Sequence, residues 1–303
     1  MMLFLNDNTA SDLDFVKRIL VQAGISNIQI FERLVGGSKS YAFRADENVV
    51  RFPKADIVWQ SMKKEKQIID FVLPLMPTQL KSRIHLLDLI EGEYPFSVAE
   101  RFDGKICDNR PESAFATKYQ KLTAEQQSTL AQDIALFFHT MHSFDVQKIP
   151  VSIHADTTDV WDKTQMPDFD YTQIRQSLLI GSRSIDLDAY RPEMFNGETA
   201  LCHNDLAGSN LLINPDKKDV LQGIIDFANT AVVPKYYDFF SLYKISGKLA
   251  RQTLSFYNRL TISPIAEKQI DYLALTYIGY GIFKTTDNPT PYFDKLLNLF
   301  AEN

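Results

Sequence analysis

From Ser11 to Ala23 the apolar residues Leu13, Phe15, Val16, Ile19, Leu20 and Ala23 recur at helical spacing, which predicts a helix with Ser11 placed to cap it. The period then changes. Ile28 to Leu34, Tyr41 to Arg44 and Val49 to Phe52 read as short strands, separated by "VGGSKS" and "ADEN", and Pro53 closes the third. A charged helix is expected over Val58 to Val72, with Met62, Ile68, Ile69 and Val72 at its apolar positions, and another strand over Pro95 to Arg101. Beyond the "DGK" turn the pattern is mainly helical, most clearly over Ser128 to His142, where Leu130, Ile134, Phe137, Phe138 and Met141 form a wide apolar stripe. One β interruption stands out: "NLLI" and "VLQGIIDF" flank "NPDKKD", which predicts a hairpin turning at Asn214 to Asp219. Strands first and then helices with a single hairpin predict an α+β protein of two lobes.

Length agrees with two lobes, since 303 residues exceed a usual single domain. The composition is that of a globular protein, 45% hydrophobic and 23% charged. A net charge of −6 argues against a nucleic-acid binder held by a basic stripe and is compatible with a cationic partner. Cys107 and Cys202 are the only cysteines and form no C-x-x-C pair, so a reducing cytoplasm is the expected setting. The "MMLFL" start turns polar at Asn6, which leaves it too short for a signal h-region, and the apolar run from Leu273 to Phe283 is far shorter than a membrane span, so no membrane partner is expected.

Chemistry concentrates in "CHNDLAGSN". His203, Asp205, Leu206 and Asn210 reproduce the H-x-D-L-x-x-x-N spacing of the protein-kinase catalytic loop. That spacing has a reason: an Asp accepts the proton of an attacking hydroxyl, and an Asn five residues on returns to a Mg²⁺ on the phosphates. An Asx-rich turn between buried elements is the alternative. The hairpin that follows delivers a second carboxylate, Asp226, at the end of an apolar strand, where a cation would offset its burial. A capping Asp is the alternative there.

Upstream, Gly36-Gly37-Ser38-Lys39-Ser40 lies between two strands, and its small residues would let backbone N–H groups approach an anion, with Ser38 and Ser40 as candidates. An ordinary Gly-Gly turn would look the same. On the next strand Val49 and Arg51 share a face, so Val49 would floor a base while Arg51 reaches phosphate. Lys54 is the rival to Arg51. Glu65, on the following helix, is the expected ion-pair partner of Arg51, unless it is a solvated charge beside Lys63, Lys64 and Lys66. His139 and His142, three apart on an aromatic-rich helix, read as satisfied core histidines rather than metal ligands. No G-x-S-x-G elbow supports a triad hydrolase.

With these motifs the chain resembles the aminoglycoside phosphotransferase family. The likeness runs through "GGSKSYAF", "VVRFPK", "YPFSVAERFDG", "LFFHTMHSF", "LCHNDLAGSNLLI" and "GIIDFANTAVVPKYYDFF", and "RFPK…KEK…YPF" looks most like the 2″-modifying branch. The resemblance implies a bilobal protein-kinase-like fold: an N-lobe of residues 1–100 with a five-stranded sheet, and a helical C-lobe of residues 101–303. It implies Asp205 as catalytic base, Asn210 and Asp226 as magnesium ligands, Ala99, Glu100, Arg101 and Phe102 as the hinge against a purine, and Asp238 as an anchor beneath the catalytic loop. The cosubstrate would be ATP or GTP with Mg²⁺, and the acceptor a small-molecule alcohol. One departure is "SLYKISGK", which carries lysines where that branch has acidic residues holding substrate amines.

The acceptor is expected to be a polycation, in the first place an aminoglycoside. The segment 155–170 carries five aspartates against one lysine, among Trp161 and Phe169. Asp159 and Asp162 are its candidate substrate contacts; a solvated acidic loop is the alternative. Kinases of choline, homoserine or a sugar are the alternative enzymes, and a nucleotide-binding pseudokinase is an alternative of another class.

Overall fold

In the computed structural model of the chain, Asp12 rather than Ser11 caps the first long helix. Ser11 is spent one turn earlier, closing a short helix α1 (Asp7–Ser11), where its hydroxyl donates to the Asp7 carbonyl at 2.7 Å. Helix α2 (Leu13–Gln22) then starts from Asp12, whose Oδ1 accepts from the Phe15 amide at 2.9 Å. The structure describes residues 2–34, 39–104, 118–150, 153, 198–243, 245–267 and 269–270. They divide into two units, Met1–Pro111 with Ser209–Asn214 and Leu221–Ala228, and Glu112–Gly208 with Pro215–Val220 and Asn229–Asn303.

The first unit is built on the expected five-stranded sheet, antiparallel throughout, in the order β1-β2-β3-β5-β4. Its strands are β1 (Phe31–Arg33), β2 (Ser40–Ala45), β3 (Asn48–Pro53), β4 (Leu87–Ile90) and β5 (Phe96–Glu100). The strand expected from Ile28 shortens because Asp46 captures its first residues: Oδ1 accepts from the Gln29 and Ile30 amides at 3.0 and 2.7 Å. Asp46 itself turns the β2–β3 hairpin in the left-handed region, at φ 52°. Alternation decides the faces. Tyr41, Phe43, Ala45, Val50 and Phe52 join Val16, Ile19 and Leu20 of α2 in one core. The rings of Phe43 and Phe52 meet edge to face at 5.9 Å. Arg51 is left on the opposite face, where it meets helix α3 (Asp56–Val72).

A single helical turn α4 (Thr78–Lys81) precedes β4. The predicted hairpin forms as β7 (Leu211–Ile213) and β8 (Leu221–Ile224), and both strands belong to the first unit. It is tied to the segment before β4 by an Ile84–Ile224 bridge and by the Ile224 amide donating to the Arg83 carbonyl at 2.7 Å.

In the second unit the predicted long helix, α5 (Ala124–His142), starts a turn early because Thr123 and Gln126 close a capping box. It packs on α7 (Gly247–Leu260), which in turn packs on α6 (Tyr237–Tyr243). Strands β6 (Thr199–Cys202) and β9 (Ala231–Pro234) pair antiparallel and lead into and out of the motif-bearing segments. Among the described residues no helix is long and apolar enough to cross a membrane.

Candidate active site

Glu65 organises the cluster of site residues carried by the first unit. Its Oε2 accepts from Arg51 Nη2 at 2.6 Å, and its Oε1 accepts from the Phe227 amide at 3.3 Å. His85 Nε2 stands 3.5 Å from the same Oε1. The expected Arg51–Glu65 pair is therefore formed, and it is not a solvated surface pair: the Glu65 side chain is 2% exposed. Burial alone would push the Glu65 carboxyl up, but the Arg51 guanidinium and then His85 outweigh it and hold it at about 2. For Arg51 burial opposes the charge, and Glu65 followed by Asp226 more than restores it. Lys54 points elsewhere, with its ammonium 4.5 Å from the centre of the Tyr41 ring.

Strand pairing sets the surroundings of Arg51. Its Nε donates to Ser97 Oγ of β5 at 3.3 Å, and Val49, on the same face, sits opposite Ala99. Two small apolar side chains thus neighbour the guanidinium along one face. Beyond them Glu100 ends β5, and the Arg101 amide donates to the Glu47 carbonyl at 2.7 Å. Phe102 packs against Gly223 of β8: a Cβ there would meet its ring at 2.5 Å, so the missing side chain makes room for the aromatic. The Asn214 side chain adds a bond to the Asp103 carbonyl at 3.2 Å. Ser40 opens β2 opposite Pro53.

Asn210 and Asp226 are brought together by the hairpin. The amide of Ile225, next to Asp226, donates to the Asn210 carbonyl at 3.1 Å. Asn210 is buried and Asp226 half-buried, and Asp226 is held in the left-handed region at φ 64°. An amide oxygen and a carboxylate carried at these paired backbone positions are hard donors, of the kind that suits a divalent cation such as Mg²⁺.

The second unit carries the loop that begins where β6 ends. Asn204 turns it through φ 66°, and one carboxylate from α6 receives the backbone of the turn. Asp238 Oδ1 accepts from the Asn204 amide at 2.6 Å and Oδ2 from the His203 amide at 3.2 Å. Asp238 thus occupies the anchoring place expected of it. Bonds to a buried charged acceptor are worth about 1.5–3 kcal/mol each, enough to fix the loop in one conformation. Asp205 follows, with Oδ2 accepting from Asn229 Nδ2 at 3.0 Å, while Asn204 Nδ2 donates back to the Asn229 carbonyl at 3.3 Å. His142, Cys202 and Asp238 each bring a ligand atom within 4.8 Å of the others, but they bond among themselves, His142 Nε2 lying 3.0 Å from Asp238 Oδ2. This agrees with a satisfied core histidine.

Asn229, His85 and the Gly223–Phe102 contact were not singled out from sequence. The spacing of Asn229 from Asp205 matches no short motif, and His85 sits in an apolar run with nothing local to mark it. Ser38, Asp159, Asp162, Cys107, Lys244 and the run from Leu273 to Phe283 lie outside the described residues.

Residues 31–279 match the model of a family described as the phosphotransferase enzyme family. Among solved structures, the chain is similar to APH(2″)-IIIa in its GDP and kanamycin complex, with TM-score 0.66 and 20% identity over 96% of this chain and 100% of that one. It is similar to APH(2″)-IIa in a streptomycin–ATP ternary complex, with TM-score 0.63 and 20% identity over 98% and 97%. A macrolide 2′-phosphotransferase from Brachybacterium faecium also matches, with TM-score 0.57 and 13% identity over 93% and 98%. All three share the fold.

Proposed function

The chain belongs to the phosphotransferase enzyme family, and we propose that it moves the γ-phosphoryl group of ATP or GTP to a hydroxyl of a small cationic acceptor, an aminoglycoside in the first place. The observation that carries the reading is the double engagement of Glu65, which holds Arg51 through one oxygen and the amide after Asp226 through the other. A guanidinium oriented in this way suits the α- and β-phosphates, and the half-exposed Val49–Ala99 pair suits the face of a purine held against residues 99–102. Ser38 and Ser40 are assigned to the phosphates on the same reading. We keep residues 1–100 as the nucleotide lobe and 101–303 as the acceptor lobe, with the hairpin strands joining the nucleotide side.

Asn210 and Asp226 would hold Mg²⁺, which neutralises charge on the phosphates when bound. Asp205 accepts the proton of the acceptor hydroxyl as its oxygen forms the new bond to phosphorus and the nucleoside diphosphate departs with the bridging oxygen. Asn229 orients that carboxylate by holding one of its oxygens, and the Asp238 anchor keeps the turn from relaxing. Positioning and charge supply the rate, since phosphoryl transfer asks little covalent help of the protein.

The acceptor is inferred from two supports. Structural relatives are described with kanamycin, gentamicin and streptomycin, and the segment 155–170 with Asp159 and Asp162 is strongly acidic. A cytoplasmic setting is proposed from the cysteine usage. The deciding experiment offers the purified protein Mg²⁺, ATP or GTP, and either kanamycin- and gentamicin-type acceptors or neutral and anionic alcohols, following nucleoside diphosphate release. Turnover confined to the neutral or anionic alcohols overturns the acceptor, and no turnover of any kind overturns the enzyme.

A further inference from the structure

Three helices of the second unit each send one polar side chain to a single buried point behind the catalytic loop. His142 ends α5, Asp238 opens α6 and Tyr257 lies on α7. The side chains of His142 and Asp238 are 1% and 0% exposed, so water does not substitute for the bonds among them. His142 Nε2 lies 3.0 Å from Asp238 Oδ2, and His142 Nδ1 lies 2.9 Å from the Tyr257 hydroxyl. The chemistry of the partners bears on which nitrogen carries the proton. A carboxylate that already receives the His203 and Asn204 amides accepts only, so Nε2 is the donor nitrogen. With Nε2 donating, Nδ1 is left to face the Tyr257 hydroxyl, and we assign that hydroxyl as the donor to it. Burial, together with the nearby Cys202, Asp238 and Glu198, pushes the Tyr257 phenol well above its ordinary range, so that proton stays in place. The Cys202 thiol, 3.4 Å from Nε2, has the Val233 carbonyl to donate to at 3.6 Å.

We propose that Tyr257 is a positioning residue for phosphoryl transfer: its hydroxyl fixes the tautomer of His142, His142 orients the Asp238 carboxylate, and Asp238 holds the turn that aims Asp205. The inference rests on Asp205 being the base. It is new in placing a determinant of turnover on α7, fifty-two residues downstream of Asp205 in sequence.

Tyr257→Phe tests it, because the ring contacts, edge-on to Phe239 at 5.0 Å and to His142 at 5.4 Å, survive the loss of the hydroxyl. Nitrogen NMR of the His142 ring is expected to show a single Nε2-protonated form in the native protein and a mixture in the variant. Hydrogen exchange at the Asn204 amide is expected to quicken, and kcat to fall about three- to tenfold with nucleotide KM unchanged, the scale of one buried neutral hydrogen bond. In a His142→Phe background the same change is expected to cost nothing further. An unchanged ring tautomer and an unchanged Asn204 amide overturn the proposal, as does an equal cost with and without the imidazole. A loosened amide with undiminished turnover overturns the link to Asp205. Failure of the base assignment itself is read separately, as normal turnover in Asp205→Asn.

Discussion

Replacing Glu65 by Gln keeps the shape of the side chain and removes its charge, so it isolates what that carboxylate contributes. In the native protein the group is held at about 2 against an ordinary 4.5. At 1.36 kcal/mol per pH unit the gap amounts to about 3 kcal/mol favouring the ionised form. The side chain is 2% exposed, so solvent screening takes little from this figure. Removal also takes from Arg51 its principal counter-charge, although Asp226 remains and the Arg51 side chain is 23% exposed, which places the loss at the low end of the range of about 3–5 kcal/mol for a broken buried pair. Denaturant titration at neutral pH is therefore expected to show Glu65→Gln about 3 kcal/mol less stable. The sign with pH follows from the depressed value. The contribution is complete above the unfolded value near 4.5 and is lost as pH falls towards 2, because the unfolded chain then takes up a proton that the folded protein refuses. At about pH 3.5 the native protein has surrendered about 1 kcal/mol of it, and the variant, having no proton to take up there, has surrendered none. The difference between the two proteins must narrow by that amount on acidification. A difference that stays constant between pH 7 and 3.5, or one below about 1 kcal/mol at neutral pH, refutes the assignment of Glu65 as a strongly paired buried anion.

Three further outcomes follow from the site. Asp205→Asn is expected to lower kcat by at least about 10²-fold with little change in nucleotide affinity, as measured by steady-state turnover beside equilibrium nucleotide binding. Arg51→Ala is expected to weaken binding of the triphosphate far more than of the bare nucleoside, while Lys54→Ala does neither; the reverse pattern in calorimetric titrations would move the phosphate contact to Lys54. Ala at Asn210 or at Asp226 is expected to weaken Mg²⁺-dependent nucleotide binding, and the double change to cost less than the sum, since two ligands of one ion act as a unit. Strict additivity in that cycle argues against a shared ion.

How much of this was legible in the chain depended on how local each signal was. Alternation in β2 and β3 separated Tyr41, Phe43, Val50 and Phe52 from Arg51 without reference to anything distant. For the same reason the preference for Arg51 over Lys54 agrees with the pairing that the structure forms. The hairpin was marked by its own turn residues between two apolar runs. The small sheet of β6 and β9 was not, because its strands pair across about thirty residues and each alone is only a short apolar run. The helix cap was misplaced by one residue because Ser11 and Asp12 are both capable caps, and only the preceding short helix decides which hydroxyl is already engaged. Glu65 was proposed as a partner for Arg51, yet its second engagement, with the Phe227 amide, joins residues 162 apart. The contacts of Asn229 and Tyr257 are of the same non-local kind, which no periodicity encodes.

The left-handed backbones at Asn204 and Asp226 set durability against chemistry at two points of the chain. Apart from Asn27 and Asp46 they are the only non-glycine residues with positive φ among those described. Both are of the types that bear this conformation least unwillingly, but glycine would bear it at lower cost, with a gain of up to about 1 kcal/mol. Laboratory evolution for heat resistance alone would therefore drift towards Gly at both places. At 204 such a drift would forfeit the side-chain bond to the Asn229 carbonyl but no group proposed to take part in the chemistry, and heat-resistant, active clones should survive there. At 226 it would delete a carboxylate proposed to hold the cation, and the hardier clones should be the inactive ones.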